Sequence, residues 1–162
     1  MVPTSLCSVA RHGIIQRMDK MRVLFLCTGN SARSQMAEAF LRHYASEKFE
    51  AYSAGLEPRP IRPEALAVMK ELGIEMAGQH PKSLHDFMGK VHFSYLITMC
   101  QEAEDRCPTT FPGMGKREAW NIEDPATHDG SEDERMLQFR AARDAINSHM
   151  KEWLGTQGII VE

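Results

Sequence analysis

From Met21 onward, short apolar runs alternate with stretches of helical period, and this alternation restricts the fold more than any other feature. Residues 22–26 read as a buried strand, apolar almost throughout, as parallel strands covered on both faces are. Residues 34–45 read as a helix. Met36, Phe40 and Tyr44 share one face with Ala37 and Leu41, while Glu38 and Arg42 are expected to face away. Residues 49–54 form a second strand. A second helix over 61–73 has Pro63 in its first turn and Gly73 at its end. Residues 92–99 and a shorter run, 117–120, read as two more strands. The longest helix, 131–154, opens on an acidic run that suits a helix N-terminus. Met136, Phe139, Ala142, Ile146, Met150 and Trp153 mark its buried stripe. The expected fold class is α/β: a single three-layer domain with a four-stranded parallel sheet flanked by helices. Residues 1–20 lack any period and read as an N-terminal extension, so the packed domain spans 21–162.

The place of the first loop follows from this topology. In open parallel sheets, ligands bind beyond the carboxyl ends of the strands. The segment CTGNSARS, residues 27–34, leaves the first strand there and enters the first helix. Thr28, Gly29, Asn30, Ser31 and Ala32 are small or turn-forming, so their backbone N–H groups can converge into an anion nest. The helix that follows adds its unpaired N–H groups. Arg33 supplies a planar fork for two oxygens of a tetrahedral oxyanion. Cys27 lies beneath that anion, where positive surroundings favour the thiolate that attacks. Ser34 can donate to the sulfur, and Asn30 tolerates left-handed backbone geometry.

Composition excludes several other roles. A net charge of −3 gives no basic face for nucleic acid. No apolar run approaches the roughly 18 residues of a membrane span. Four cysteines, Cys7, Cys27, Cys100 and Cys107, occur without a secretory leader pattern, so a cytoplasmic protein with reduced thiols is expected. No metal-binding spacing such as C-x2-C is present, so neither metal nor cofactor is expected. Cys7 reads as an unpaired thiol in the extension.

The loop resembles the signature of the low-molecular-weight protein tyrosine phosphatase superfamily. The likeness continues through SQMAEAF, YSAG at 52–55 and KREAWNIEDPA at 116–126, and so covers nearly all of residues 21–154. The superfamily contains both phosphatases and thioredoxin-coupled arsenate reductases. The resemblance implies that Asp124, in its Asp-Pro turn, protonates the leaving group.

TMCQEAEDRCP, residues 98–108, separates the two branches. A phosphatase needs one cysteine, because water hydrolyses its phosphocysteine. Cys100, expected at the end of the third strand, and Cys107 supply two further thiols. Beside an oxyanion loop they can reduce arsenate through a three-cysteine relay that ends in a Cys100–Cys107 disulfide, with thioredoxin as the reductant and phosphate as a competing anion. If 100–107 is helical, the two Cα atoms lie about 10 Å apart. A disulfide needs about 4.4–6.8 Å. This polar segment is therefore expected to refold on oxidation and carry the disulfide to the surface.

Three departures from the family pattern sharpen the reading. Many coupled reductases carry a further cysteine where this chain has Ala32, and the relay does not use it. Phosphatases of the superfamily place aromatic residues after the Asp-Pro pair, where Ala126 and Thr127 stand here. Some members bind potassium through residues matching Asn30, Glu38 and Ser53 plus an acid. Lys82 occupies the acid's place, and its ammonium can pair with Glu38 instead. The expected protein is a monomeric arsenate reductase, with a tyrosine phosphatase as the alternative.

Overall fold

In the computed structural model the described residues are 19–109 and 112–162, so the expected extension lies outside them except for its last two residues, and Cys7 lies outside them entirely. Four strands, β1 (Met21–Cys27), β2 (Phe49–Gly55), β3 (Phe93–Thr98) and β4 (Met114–Ala119), form one sheet in the order β2-β1-β3-β4. All neighbours pair in parallel. The helices are α1 (Arg33–Ala45), α2 (Pro63–Lys70), α3 (Gln101–Arg106) and α4 (Glu132–Thr156). Val23, Leu24, Phe25 and Leu26 of β1 are wholly buried, as expected for a central strand covered on both faces.

This strand order places the site. The chain moves from β1 to β2 on one side, then crosses β1 to lay β3 on the other. Strand order therefore reverses between β1 and β3, and a crevice opens beyond their carboxyl ends. Cys27 ends β1, and Cys100 follows β3 by two residues.

Most expected elements are present, with four instructive differences. The second helix closes earlier than expected: α2 ends at Lys70, and Gly73, at φ 73°, lets the Ile74 N–H reach back to the Met69 carbonyl at 3.1 Å. β4 begins at Met114 rather than residue 117. It is an edge strand with mostly exposed side chains, so its first half carries no apolar pattern to read. Glu38 does not face away from the core but is 5% exposed, because the segment around Lys82 covers that side of α1. Met136 is only half-buried, whereas the rest of the α4 stripe is buried. Among the described residues, no helix is long and apolar enough to cross a membrane.

Candidate active site

Cys27 is 2% exposed, and its sulfur is held on two sides. The Asn30 N–H donates to it at 3.1 Å, and the Ser34 hydroxyl lies 2.8 Å away. Ser34 Oγ also accepts from Asn30 Nδ2 at 2.8 Å. A hydroxyl has a single proton, so with Asn30 donating to it Ser34 is free to turn that proton toward the sulfur. Asn30 is the one residue other than glycine with positive φ among the described residues, at 48°, and it is wholly buried. Its side-chain Oδ1 accepts from Gln35 Nε2 at 2.9 Å and from the Lys82 N–H at 2.8 Å, which fixes the orientation of its side-chain amide.

The segment after β2 shapes the loop from outside. The carbonyls of Cys27, Thr28, Gly29 and Ser31 accept from the N–H groups of Leu56, Glu57, Arg59 and Arg62 at 2.8–3.2 Å. In a trans peptide, C=O and the next N–H point in opposite directions. The N–H groups of Thr28, Gly29, Asn30 and Ala32 are therefore turned inward, toward the cradle. Gly55 pairs with Cys27 across β1 and β2, and here only a glycine fits. An added Cβ would lie 2.9 Å from Asn30 N, Asn30 Cβ and Thr28 O. Gly55→Ala is expected to cost about 2 kcal/mol of stability through this overpacking, read by urea unfolding, and to weaken phosphate binding in calorimetry. An unchanged unfolding midpoint would count against this account of the loop.

Arg33 is 8% exposed and does not present its whole fork to the cavity. Nη1 donates to the Ile122 carbonyl at 3.1 Å, and Nη2 lies 3.6 Å from Asp124 Oδ2. Asp124 caps a short 3-10 turn, Pro125–Thr127, with Oδ1 accepting the Ala126 N–H at 2.9 Å. One carboxylate oxygen is thus fixed by the turn, and the other faces Arg33.

Cys27, Arg33, Asp124 and Cys100 line a single cavity of 710 Å³. Cys100 is 8% exposed, and its sulfur accepts from the Ala103 N–H at 3.4 Å and lies 3.6 Å from Thr28 Oγ1. That hydroxyl donates to Glu102 at 2.9 Å. Among the described residues no aromatic ring lines the cavity; its walls include Pro60, Ile61 and Ala126 and its rim Glu57, Arg59 and Arg62. Cys107 ends α3 outside the cavity and is 5% exposed. Burial pushes its thiol above the ordinary range, with Glu104 adding to the effect and Arg117 opposing it. Cys107 is therefore shut from the surface while α3 is intact. With α3 helical, its ends are too far apart for a disulfide.

Glu38 is stabilised by Arg42 at 2.6 Å, by the Ser53 hydroxyl and by Lys82 Nζ at 3.5 Å. Burial pushes the Lys82 ammonium below the usual lysine range, and Glu38 pulls it part of the way back. These oxygens already have their cation, so this set does not suit a potassium ion. Gln35, absent from the residues the sequence pattern singles out, is wholly buried, and its side chain ties the loop to the His80 carbonyl at 2.9 Å. A polar residue on an apolar helix face was the available signal.

The chain matches the family described as low molecular weight phosphotyrosine protein phosphatase over residues 22–159. It is 42% identical to an arsenate reductase of Shouchella clausii (strain KSM-K16) over 140 residues, which are 86% of this chain and 99% of that one. Among solved structures, an arsenate reductase in its oxidised state superposes with a TM-score of 0.70 at 29% identity, covering 83% of this chain and 97% of that one. A thioredoxin-dependent arsenate reductase of Corynebacterium glutamicum gives a TM-score of 0.65 at 28% identity, covering 86% and 62%. The chain belongs to the low molecular weight phosphotyrosine protein phosphatase family, and its relatives there include arsenate reductases.

Proposed function

We propose that this protein reduces arsenate to arsenite through Cys27, Cys100 and Cys107 and is returned to its dithiol form by thioredoxin. The observation that carries the reading is a second thiol in the oxyanion cavity: Cys100 lines the same space as Cys27, where a hydrolytic enzyme needs only water.

The Cys27 thiolate attacks arsenic, and the leaving hydroxide takes a proton from Asp124 and departs as water. The Cys100 thiolate then attacks the Cys27 sulfur. An S–S bond forms, the S–As bond breaks, and its electron pair stays on arsenic, which leaves as arsenite. The Cys107 thiolate next attacks the Cys100 sulfur and expels the Cys27 thiolate. A dithiol of thioredoxin reduces the resulting Cys100–Cys107 disulfide. The loop amides and Arg33 hold the oxyanion throughout, and phosphate, of the same charge and shape, competes for them. The reading takes the protein to be a cytoplasmic monomer.

The test compares two activities in one preparation. With thioredoxin, its reductase and NADPH, arsenate is expected to drive many rounds of NADPH oxidation. Added phosphate should raise the apparent KM while leaving kcat unchanged. Efficient hydrolysis of an aryl phosphate, with no arsenate-dependent NADPH oxidation, would favour the phosphatase reading. Among the described residues the cavity lining offers no aromatic ring to grip a phenyl ester, which favours the reductase reading.

A further inference from the structure

Arg117 stands outside the cavity and takes no part in the chemistry above, yet it makes three hydrogen bonds to the redox segment. Nη2 donates to the Glu104 carbonyl at 2.6 Å, Nη1 to the Pro108 carbonyl at 3.0 Å, and Nε to the Glu104 carboxylate at 3.3 Å. The two carbonyls lie on either side of Cys107 in the chain, so one guanidinium spans it. The Glu104 carboxylate is itself held by the Thr98 hydroxyl at 2.6 Å, from a wholly buried position at the end of β3. Arg117 is on β4, locked in register opposite Leu96.

α3 needs such help. Six residues are too few for a helix to persist alone, and Ala103 is the only one of them that is buried. Another clamp, Arg106 to Glu102 at 2.8 Å and Glu57 at 3.1 Å, is exposed and contributes little. Arg117 instead satisfies a carbonyl in the last turn, where a helix leaves its acceptors without partners. Cys100 and Cys107 begin about 10 Å apart and must approach within about 6.8 Å to join. Arg117 is fixed in the sheet while Cys107 moves, so its bonds to the carbonyls on both sides of Cys107 cannot both survive.

We propose that Arg117 is a positioning residue for the relay, a latch that holds the dithiol form of residues 104–108 with Cys107 buried and is released when Cys107 joins Cys100. The proposal rests on the relay reading. In the latched step the Cys107 thiolate forms its bond to the Cys100 sulfur, the Cys27–Cys100 bond breaks, and Cys27 leaves as thiolate. The proton lost by Cys107 passes to Cys27 or to water, and no net electrons are exchanged. The latch stabilises only the reactant side. It therefore opposes disulfide formation and favours reduction of the disulfide once thioredoxin arrives. Burial of Cys107 in the latched form pushes its thiol toward the neutral state, and the charge of Arg117 offsets part of that effect.

The test equilibrates the protein with a small dithiol–disulfide buffer in a Cys7→Ser, Cys27→Ser background, where Cys100 and Cys107 are the remaining cysteines. Mass spectrometry after alkylation counts the disulfide. Arg117→Gln is expected to shift the equilibrium toward disulfide by about tenfold, the scale of one charge-assisted hydrogen bond, which is about 30 mV for a two-electron couple. Arg117→Lys keeps the charge without the fork and should fall nearer Gln than wild type. Amide exchange of α3 in the reduced protein should quicken in both. Glu104→Gln weakens one of the three bonds and serves should the Arg117 variants misfold; a shift of about threefold in the same direction is expected. An equilibrium within twofold of wild type in folded Arg117→Gln overturns the latch alone. Arsenate turnover by the intact protein that yields no Cys100–Cys107 disulfide overturns the relay, and the latch with it.

Discussion

Cys107→Ser is expected to leave arsenate reduction at no more than one arsenite per protein molecule, whatever the supply of thioredoxin, thioredoxin reductase and NADPH. The variant retains Cys27 and Cys100, so the first attack and the release of arsenite remain possible. It then stops as a Cys27–Cys100 disulfide in the cavity, beneath the loop. The sulfurs of that disulfide belong to residues that are 2% and 8% exposed in the reduced fold, so an external dithiol has little access to them. Steady-state NADPH oxidation should fall by at least about a hundredfold, the lower end of what loss of a reacting group costs. Mass spectrometry should find the Cys27–Cys100 bond in the arrested protein. Phosphate binding should be unchanged, because Cys107 lies outside the cavity lining. Multiple turnovers in this variant would exclude the third thiol from the cycle. Cys107 is suited to acting late: while α3 is folded its thiol is buried, and burial pushes it toward the neutral form.

Asp124→Asn should lower the rate of arsenate reduction at neutral pH by about 10²–10⁴-fold, the range for a lost general acid, with phosphate affinity kept within a few-fold. The substitution preserves shape. Its carbonyl oxygen can still accept the Ala126 N–H and hold the 3-10 turn that aims the residue. It also removes a negative charge 3.6 Å from Arg33, which leaves that guanidinium freer for an anion. A selective loss of rate without loss of binding is the signature of leaving-group protonation. Single-turnover arsenite release and phosphate calorimetry on the same preparation check it. A fall of less than threefold would mean that the proton comes from elsewhere.

The features legible in the sequence were those carried by neighbours along the chain. β1, the loop after it and the start of α1 follow one another within fourteen residues, and each announces itself by apolar run, turn residues or helical period. The buried stripe of α4 was readable for the same reason, since period alone defines it. β4 starts three residues before the expected position, because its side chains are mostly exposed and nothing apolar in them marks where pairing begins. Period alone places Glu38 on the polar side of α1, while its cover comes from a segment some forty residues downstream. Gln35, Gly55 and Arg117 owe their importance to what folding brings against them: His80, Asn30 and the end of α3.

Sequence by itself determined that this chain builds a parallel α/β sheet, that a turn-rich loop opening on a cysteine and suited to an oxyanion follows its first strand, and that two more thiols flank a polar segment far downstream. These are matters of local propensity and of residue type, which a chain carries before it folds. Only the tertiary structure decided that Cys100 lines the cavity of Cys27, that Cys107 is buried at the end of a six-residue helix, and that Arg117 bonds to the carbonyls on both sides of it. The reversal of strand order between β1 and β3 brings residues some seventy apart to one crevice. Contacts at that separation depend on topology and burial, which no local pattern encodes.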